Sequence, residues 1–93
     1  MKLYVGMDLH SRNTYFGIMD KQFKRVFNTR VANDLPLILN TLEPFRDQIK
    51  GLVVESTYNW YWLVDGLMDA GYKDIHLANP SAIKHLRRSK IQR

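Results

Sequence analysis

Ninety-three residues with 45% apolar and 12% aromatic content make one small folding unit with enough apolar material for a core, which excludes a disordered chain. There is no cysteine, which excludes disulfide staples and thiolate metal sites, and no apolar run approaches the ~20 residues of a membrane span. The net charge of +5 sits in the last ten residues, which hold Lys84, Arg87, Arg88, Lys90 and Arg93 and no acid; residues 1–83 carry nine Lys/Arg against nine Asp/Glu.

In chain order, residues 2–9 alternate Leu3, Val5, Met7 and Leu9 with Tyr4, Gly6 and Asp8, a strand pattern. His10-Ser11-Arg12-Asn13 reads as a turn, residues 14–19 as a second strand, and residues 24–31 as a third, joined as a meander. The period then changes. Leu35, Ile38, Leu39, Leu42, Phe45 and Ile49 follow helical spacing, Asn33 or Asp34 can cap the start, Pro44 kinks or restarts the helix, and Gly51 ends it. Residues 52–55 form a nearly all-apolar strand, as expected for one covered on both faces. Asn59 can cap a second helix with Trp60, Leu63, Val64, Leu67 and Met68 as its buried stripe and Gly71 as its stop. Residues 74–78 are a fifth strand. Pro80 opens a short basic helix over 81–88.

The order is βββαβαβα, an α/β fold with a mixed sheet. With right-handed crossovers the first strand lies between the second strand and the 52–55 strand. Asp8 and Glu55, each at a strand's carboxyl end, then stand side by side where open α/β sheets bind ligands. Two carboxylates there suit a divalent ion, and such ions serve phosphoryl displacement. The bland alternatives are a turn-forming Asp8 and a Glu55 paired with a nearby Lys or Arg. The histidines His10, His76 and His85 are scattered, without an i, i+4 pair; His10 is close enough to Asp8 to act on it or can be a plain turn residue. Trp60, Tyr61 and Trp62 can stack bases or pack in the core. The acid-free tail offers Lys84, Arg87, Arg88, Lys90 and Arg93 as nucleic-acid contacts, or forms a solvated helix end.

Three stretches carry a resemblance that spans essentially the whole chain: Tyr4-Val5-Gly6-Met7-Asp8-Leu9-His10-Ser11, Val53-Val54-Glu55-Ser56-Thr57 with Asn59-Trp60-Tyr61-Trp62-Leu63, and His76-Leu77-Ala78-Asn79-Pro80 with Lys84. Together they resemble the N-terminal RuvC-like domain, of DEDD type, of bacterial insertion-sequence transposases related to Piv-type DNA invertases. The resemblance implies a ribonuclease-H-like fold. It implies that Asp8 and Glu55 are the first two acids of a catalytic metal tetrad for Mg²⁺ or Mn²⁺. It also implies DNA as substrate, strand cleavage and transfer, a guide RNA and a second domain in the full-length protein, and the bacterial cytoplasm as location.

The family pattern continues past Ser89-Lys90 with two further aspartates on a closing helix, whereas this sequence reads Ile91-Gln92-Arg93. Residues 1–93 are therefore expected to be a truncated domain without that helix, inactive alone and a homo-oligomer through its uncovered sheet. The alternative is a non-catalytic DNA-binding or self-associating fragment. A third reading is an RNA-processing or junction nuclease of the same fold.

Overall fold

A computed structural model describes residues 1–56 and 59–78. Its elements are β1 (Leu3–Leu9), β2 (Asn13–Asp20), β3 (Arg25–Ala32), α1 (Leu35–Leu42), a 3₁₀ segment (Glu43–Gln48), β4 (Ile49–Glu55), α2 (Tyr61–Asp69) and β5 (Ile75–Ala78). The basic helix expected over 81–88 lies outside the described residues. The strands form one sheet in the order β3-β2-β1-β4-β5. The β1–β2 and β2–β3 pairs are antiparallel, and β1–β4 and β4–β5 are parallel. The meander and the central position of β1 agree with the alternation and the crossover rule.

Period-two alternation divides the sheet into two faces. Leu3, Val5, Met7 and Leu9 of β1, Phe16 and Ile18 of β2, and Leu52 and Val54 of β4 are buried. They pack with Ile38 and Leu42 of α1 and Leu63 and Leu67 of α2 into a single core. Both described helices therefore cover the same face. On the other face Tyr4, Tyr15, Val26 and Val53 are exposed. Double coverage of β4 is thus corrected among the described residues: Val53 is 39% exposed.

Local chemistry sets the helix ends. The Asp34 side chain accepts a hydrogen bond from the Leu37 N–H at 3.3 Å and Pro36 occupies the first turn, so α1 starts as its capping residues dictate. The restart expected at Pro44 forms as the 3₁₀ segment, which stops at Gln48 instead of running on to Gly51. Pro44 has no N–H to donate and its ring crowds the carbonyl four residues back, so the chain tightens into the 3₁₀ segment. Ile49 then pairs with Leu3 across the sheet, and Gly51 lies inside β4 instead of ending a helix. A Cβ at Gly51 would lie tight against the Asp74 carboxylate at 3.3 Å and in ordinary contact with the Tyr4 ring at 3.6 Å.

The Asn59 Oδ1 accepts from the Tyr61 N–H at 3.3 Å, as a cap should, although the residue at the helix boundary is Trp60. Met68 is 52% exposed, against its expected place in the buried stripe; Gly66, facing Leu35, is buried there instead. At the other end Gly71 has φ +101 and α2 closes with Gly71 N–H to Met68 C=O and Tyr72 N–H to Leu67 C=O, both 3.0 Å. This is the Schellman pattern, which favours glycine at that position.

Candidate metal and nucleic-acid site

The register of the sheet assembles the site. Asp8 lies opposite Glu55 on β4 and opposite Tyr15 on β2, and Tyr15 lies opposite Arg30 on β3. One row across four strands thus reads Glu55, Asp8, Tyr15, Arg30, all on the face away from the helices. The next row reads Val53, Gly6, Gly17, Asn28. The expected neighbour relation of the two carboxylates is what the register gives. These residues, with Arg25, border an open cavity of about 710 Å³.

Asp8 is half exposed, and its Oδ2 lies 3.0 Å from His10 Nε2. His10 therefore contacts Asp8 and is more than a turn residue. Its ring also meets the Tyr15 ring edge-on, with centroids 5.1 Å apart. The turn is braced from below. The buried Thr14 hydroxyl donates to Asn33 Oδ1 at 2.7 Å, and Asn33 Nδ2 donates to the His10 carbonyl at 2.7 Å. The Asn33 backbone N–H adds a bond to the Arg12 carbonyl at 2.9 Å. Asn33 thus fixes the backbone next to Asp8 from the end of β3.

Among the described residues no Lys or Arg pairs with Asp8 or Glu55. The ion-paired alternative for Glu55 therefore has no partner there. Two adjacent carboxylates with His10 as their only basic contact among the described residues suit a hard divalent cation, which takes the oxygen ligands they offer. The donor set fits Mg²⁺ or Mn²⁺ as a partial site. No group of three His, Cys, Asp or Glu side chains that could hold a metal occurs among the described residues.

The remaining candidates separate. Lys84, Arg87, Arg88, Lys90 and Arg93 lie outside the described residues, as does His85. His76 pairs with Asp74 at 2.8 Å, and both are exposed. Trp60 is half-buried against the core and stacks on the exposed Tyr61 with centroids 4.2 Å apart. Sequence reasoning missed Tyr15, Arg30, Asn28, Arg25 and the bracing Asn33. The signal for the first three was available, since alternation counted outward from Asp8 through two short turns puts them on its face.

No family model and no curated protein matches the sequence. Solved structures do match. RuvC of Thermus thermophilus in complex with a Holliday junction substrate superposes with a TM-score of 0.69 at 13% identity, covering 91% of this chain and 69% of that one. A second structure of Thermus thermophilus RuvC gives 0.63 at 16% identity, covering 84% and 62%. This chain spans about two thirds of the length of those chains. The fold is therefore ribonuclease-H-like and similar to that of RuvC, as the resemblance implied and in agreement with the element order.

Proposed function

We propose that residues 1–93 are part of the catalytic domain of a DNA transposase or recombinase, with Asp8 and Glu55 as ligands of Mg²⁺ or Mn²⁺. The observation that carries this reading is the in-register pair of carboxylates at the ends of β1 and β4, without a Lys or Arg partner among the described residues, in a RuvC-like sheet. When bound, the ion supplies Lewis-acid stabilisation of a phosphoryl oxygen and a more acidic water. The chain's own part is to hold the two carboxylates adjacent, to orient Asp8 through His10, and to anchor that turn through Asn33. DNA is the partner in this reading. A guide RNA belongs to the full-length protein that the sequence resembles, and self-association to this chain through its uncovered sheet.

Two carboxylates hold Mg²⁺ poorly because the ion gives up its waters reluctantly. This chain alone is accordingly proposed to be inactive. Incubation with end-labelled duplex and branched DNA in excess Mg²⁺ or Mn²⁺ should leave the DNA intact. Cleavage that disappears in Asp8→Ala would refute the inactivity and support the nuclease assignment of Asp8.

A second reading, a non-catalytic DNA-binding or self-associating fragment, is favoured by the exposed Tyr4, Tyr15, Val26 and Val53 on the open face. Sedimentation velocity over a wide concentration range separates them. A concentration-independent monomer removes the self-associating version.

A further inference from the structure

The face that carries Asp8 and Glu55 has features that the carboxylates do not explain. Arg25, Asn28 and Arg30 project from β3 on the same side and are exposed. Neither arginine has a carboxylate partner among the described residues. In the row beside the one that holds Asp8, Tyr15 and Arg30 the floor is bare backbone, because Gly6 and Gly17 face each other in β1 and β2, with Asn28 next to them on β3. A Cβ built on Gly17 would meet nothing within 4 Å. The Tyr15 ring, 45% exposed and held edge-on by His10, borders this floor.

We infer that the open face of β1–β3 is a groove for one strand of single-stranded DNA, with Arg30 and Arg25 on its phosphates and a base over the Gly6–Gly17 floor against Tyr15. This inference rests on the proposed function for the choice of DNA and for Asp8–Glu55 as the reactive end. Charge complementarity selects the occupant. The arginine end is cationic and without a carboxylate partner among the described residues, and an aromatic ring lies between Arg30 and Asp8. Phosphate contact by basic side chains and base stacking on an aromatic ring are the two parts of single-strand recognition on a sheet surface. With strands about 4.8 Å apart, Arg30 stands two strands, or roughly 10 Å, from Asp8. A phosphate held by Arg30 is then not the one at the acids but a neighbour along the same strand. A duplex hides its base faces and cannot use the Tyr15 ring.

The test uses a fluorescein-labelled oligodeoxynucleotide in EDTA, so that binding is read without metal. Titrations by fluorescence anisotropy are run on the whole chain, the Arg25→Ala/Arg30→Ala variant, the Gly17→Val variant, and a Lys50→Ala/Lys73→Ala control that removes the same charge elsewhere. The arginine variant should weaken binding at least about tenfold and make the salt dependence of log K shallower by about 1.4, two contacts at ~0.7 each. Gly17→Val should weaken binding at unchanged charge, since it fills the floor where the fold has room. The lysine control should move both quantities less. A 5-bromouracil oligonucleotide should crosslink on irradiation to the peptide containing Tyr15.

The groove is overturned by absence of oligonucleotide binding, or by equal loss in the arginine variant and the lysine control with no Tyr15 crosslink. It is also overturned if the same substitutions change the sedimentation coefficient and not DNA affinity, since a second copy would then cover the face. Tighter binding of the same sequence as RNA or as duplex contradicts the choice of ligand. If Gly17→Val does not fold by circular dichroism, the arginine pair and the crosslink decide. Because metal is absent, a groove that binds while Mn²⁺ does not leaves this inference standing and removes the metal reading; the reverse result does the opposite.

Discussion

Asn33 shows how much one side chain can decide. It satisfies the fully buried Thr14 hydroxyl and ties the His10 carbonyl to the end of β3. Asn33→Ala should cost about 1–3 kcal/mol in urea unfolding, because a buried hydroxyl loses its partner. Adding Thr14→Val should recover part of that loss, so the double variant should be less destabilised than the sum of the singles. Tyr72 makes a different residue-scale prediction. It is buried, with the Arg46 guanidinium 5.0 Å from the centroid of its ring. Burial raises its pKa above the usual 10.0, partly offset by the Arg46 cation over its ring and reinforced by Glu43. The folded state thus holds this proton more tightly than the unfolded one. The resulting stability is present below pH 10 and is lost as pH rises through the folded pKa. Tyr72→Phe should unfold at higher pH than the parent in an alkaline titration followed by circular dichroism, with little change at neutral pH.

Helix α2 lies against α1 where Gly66 meets the Leu35 side chain. A methyl group at Gly66 would overlap that isobutyl group, so Gly66→Ala should destabilise by about 1–3 kcal/mol despite the better helix propensity of alanine. Leu35→Ala in the same chain should relieve the overlap, giving a melting temperature above that expected from adding the two single effects. These two elements also show where sequence reading succeeds. The period of α1 was legible because Ile38 and Leu42 face the core, and the end of α2 was legible because Gly71 must take a left-handed backbone. Ile49 and Gly51 misled because Ile49 fits the helical spacing of Leu42 and Phe45 by coincidence. Its pairing with Leu3, a partner 46 positions away, outweighs local preference and is invisible to a period count. Met68 failed for a related reason: the small Gly66 lets α1 approach on that side, and the larger residue turns outward.

At the scale of the molecule the two faces of the sheet divide the work. One is packed by α1 and α2 and carries the stability; the other carries Asp8, Glu55, Tyr15 and Arg30 in one row. The adjacency of Asp8 and Glu55 was readable because each stands near the carboxyl end of an apolar strand, and the right-handed crossover rule makes those strands neighbours. The β3 residues were not singled out, because their importance comes from register across two hairpins and not from any local motif. Among the described residues no helix is long and apolar enough to cross a membrane. The central claim is that the two carboxylates form a cation site. Mn²⁺ binding by calorimetry to this chain and to its Asp8→Asn and Glu55→Gln variants, which preserve shape and remove charge, tests it directly. The account predicts measurable binding to the parent, weakened by more than about tenfold in each variant. A folded parent that binds no Mn²⁺, or variants that bind it as well as the parent does, would contradict the account.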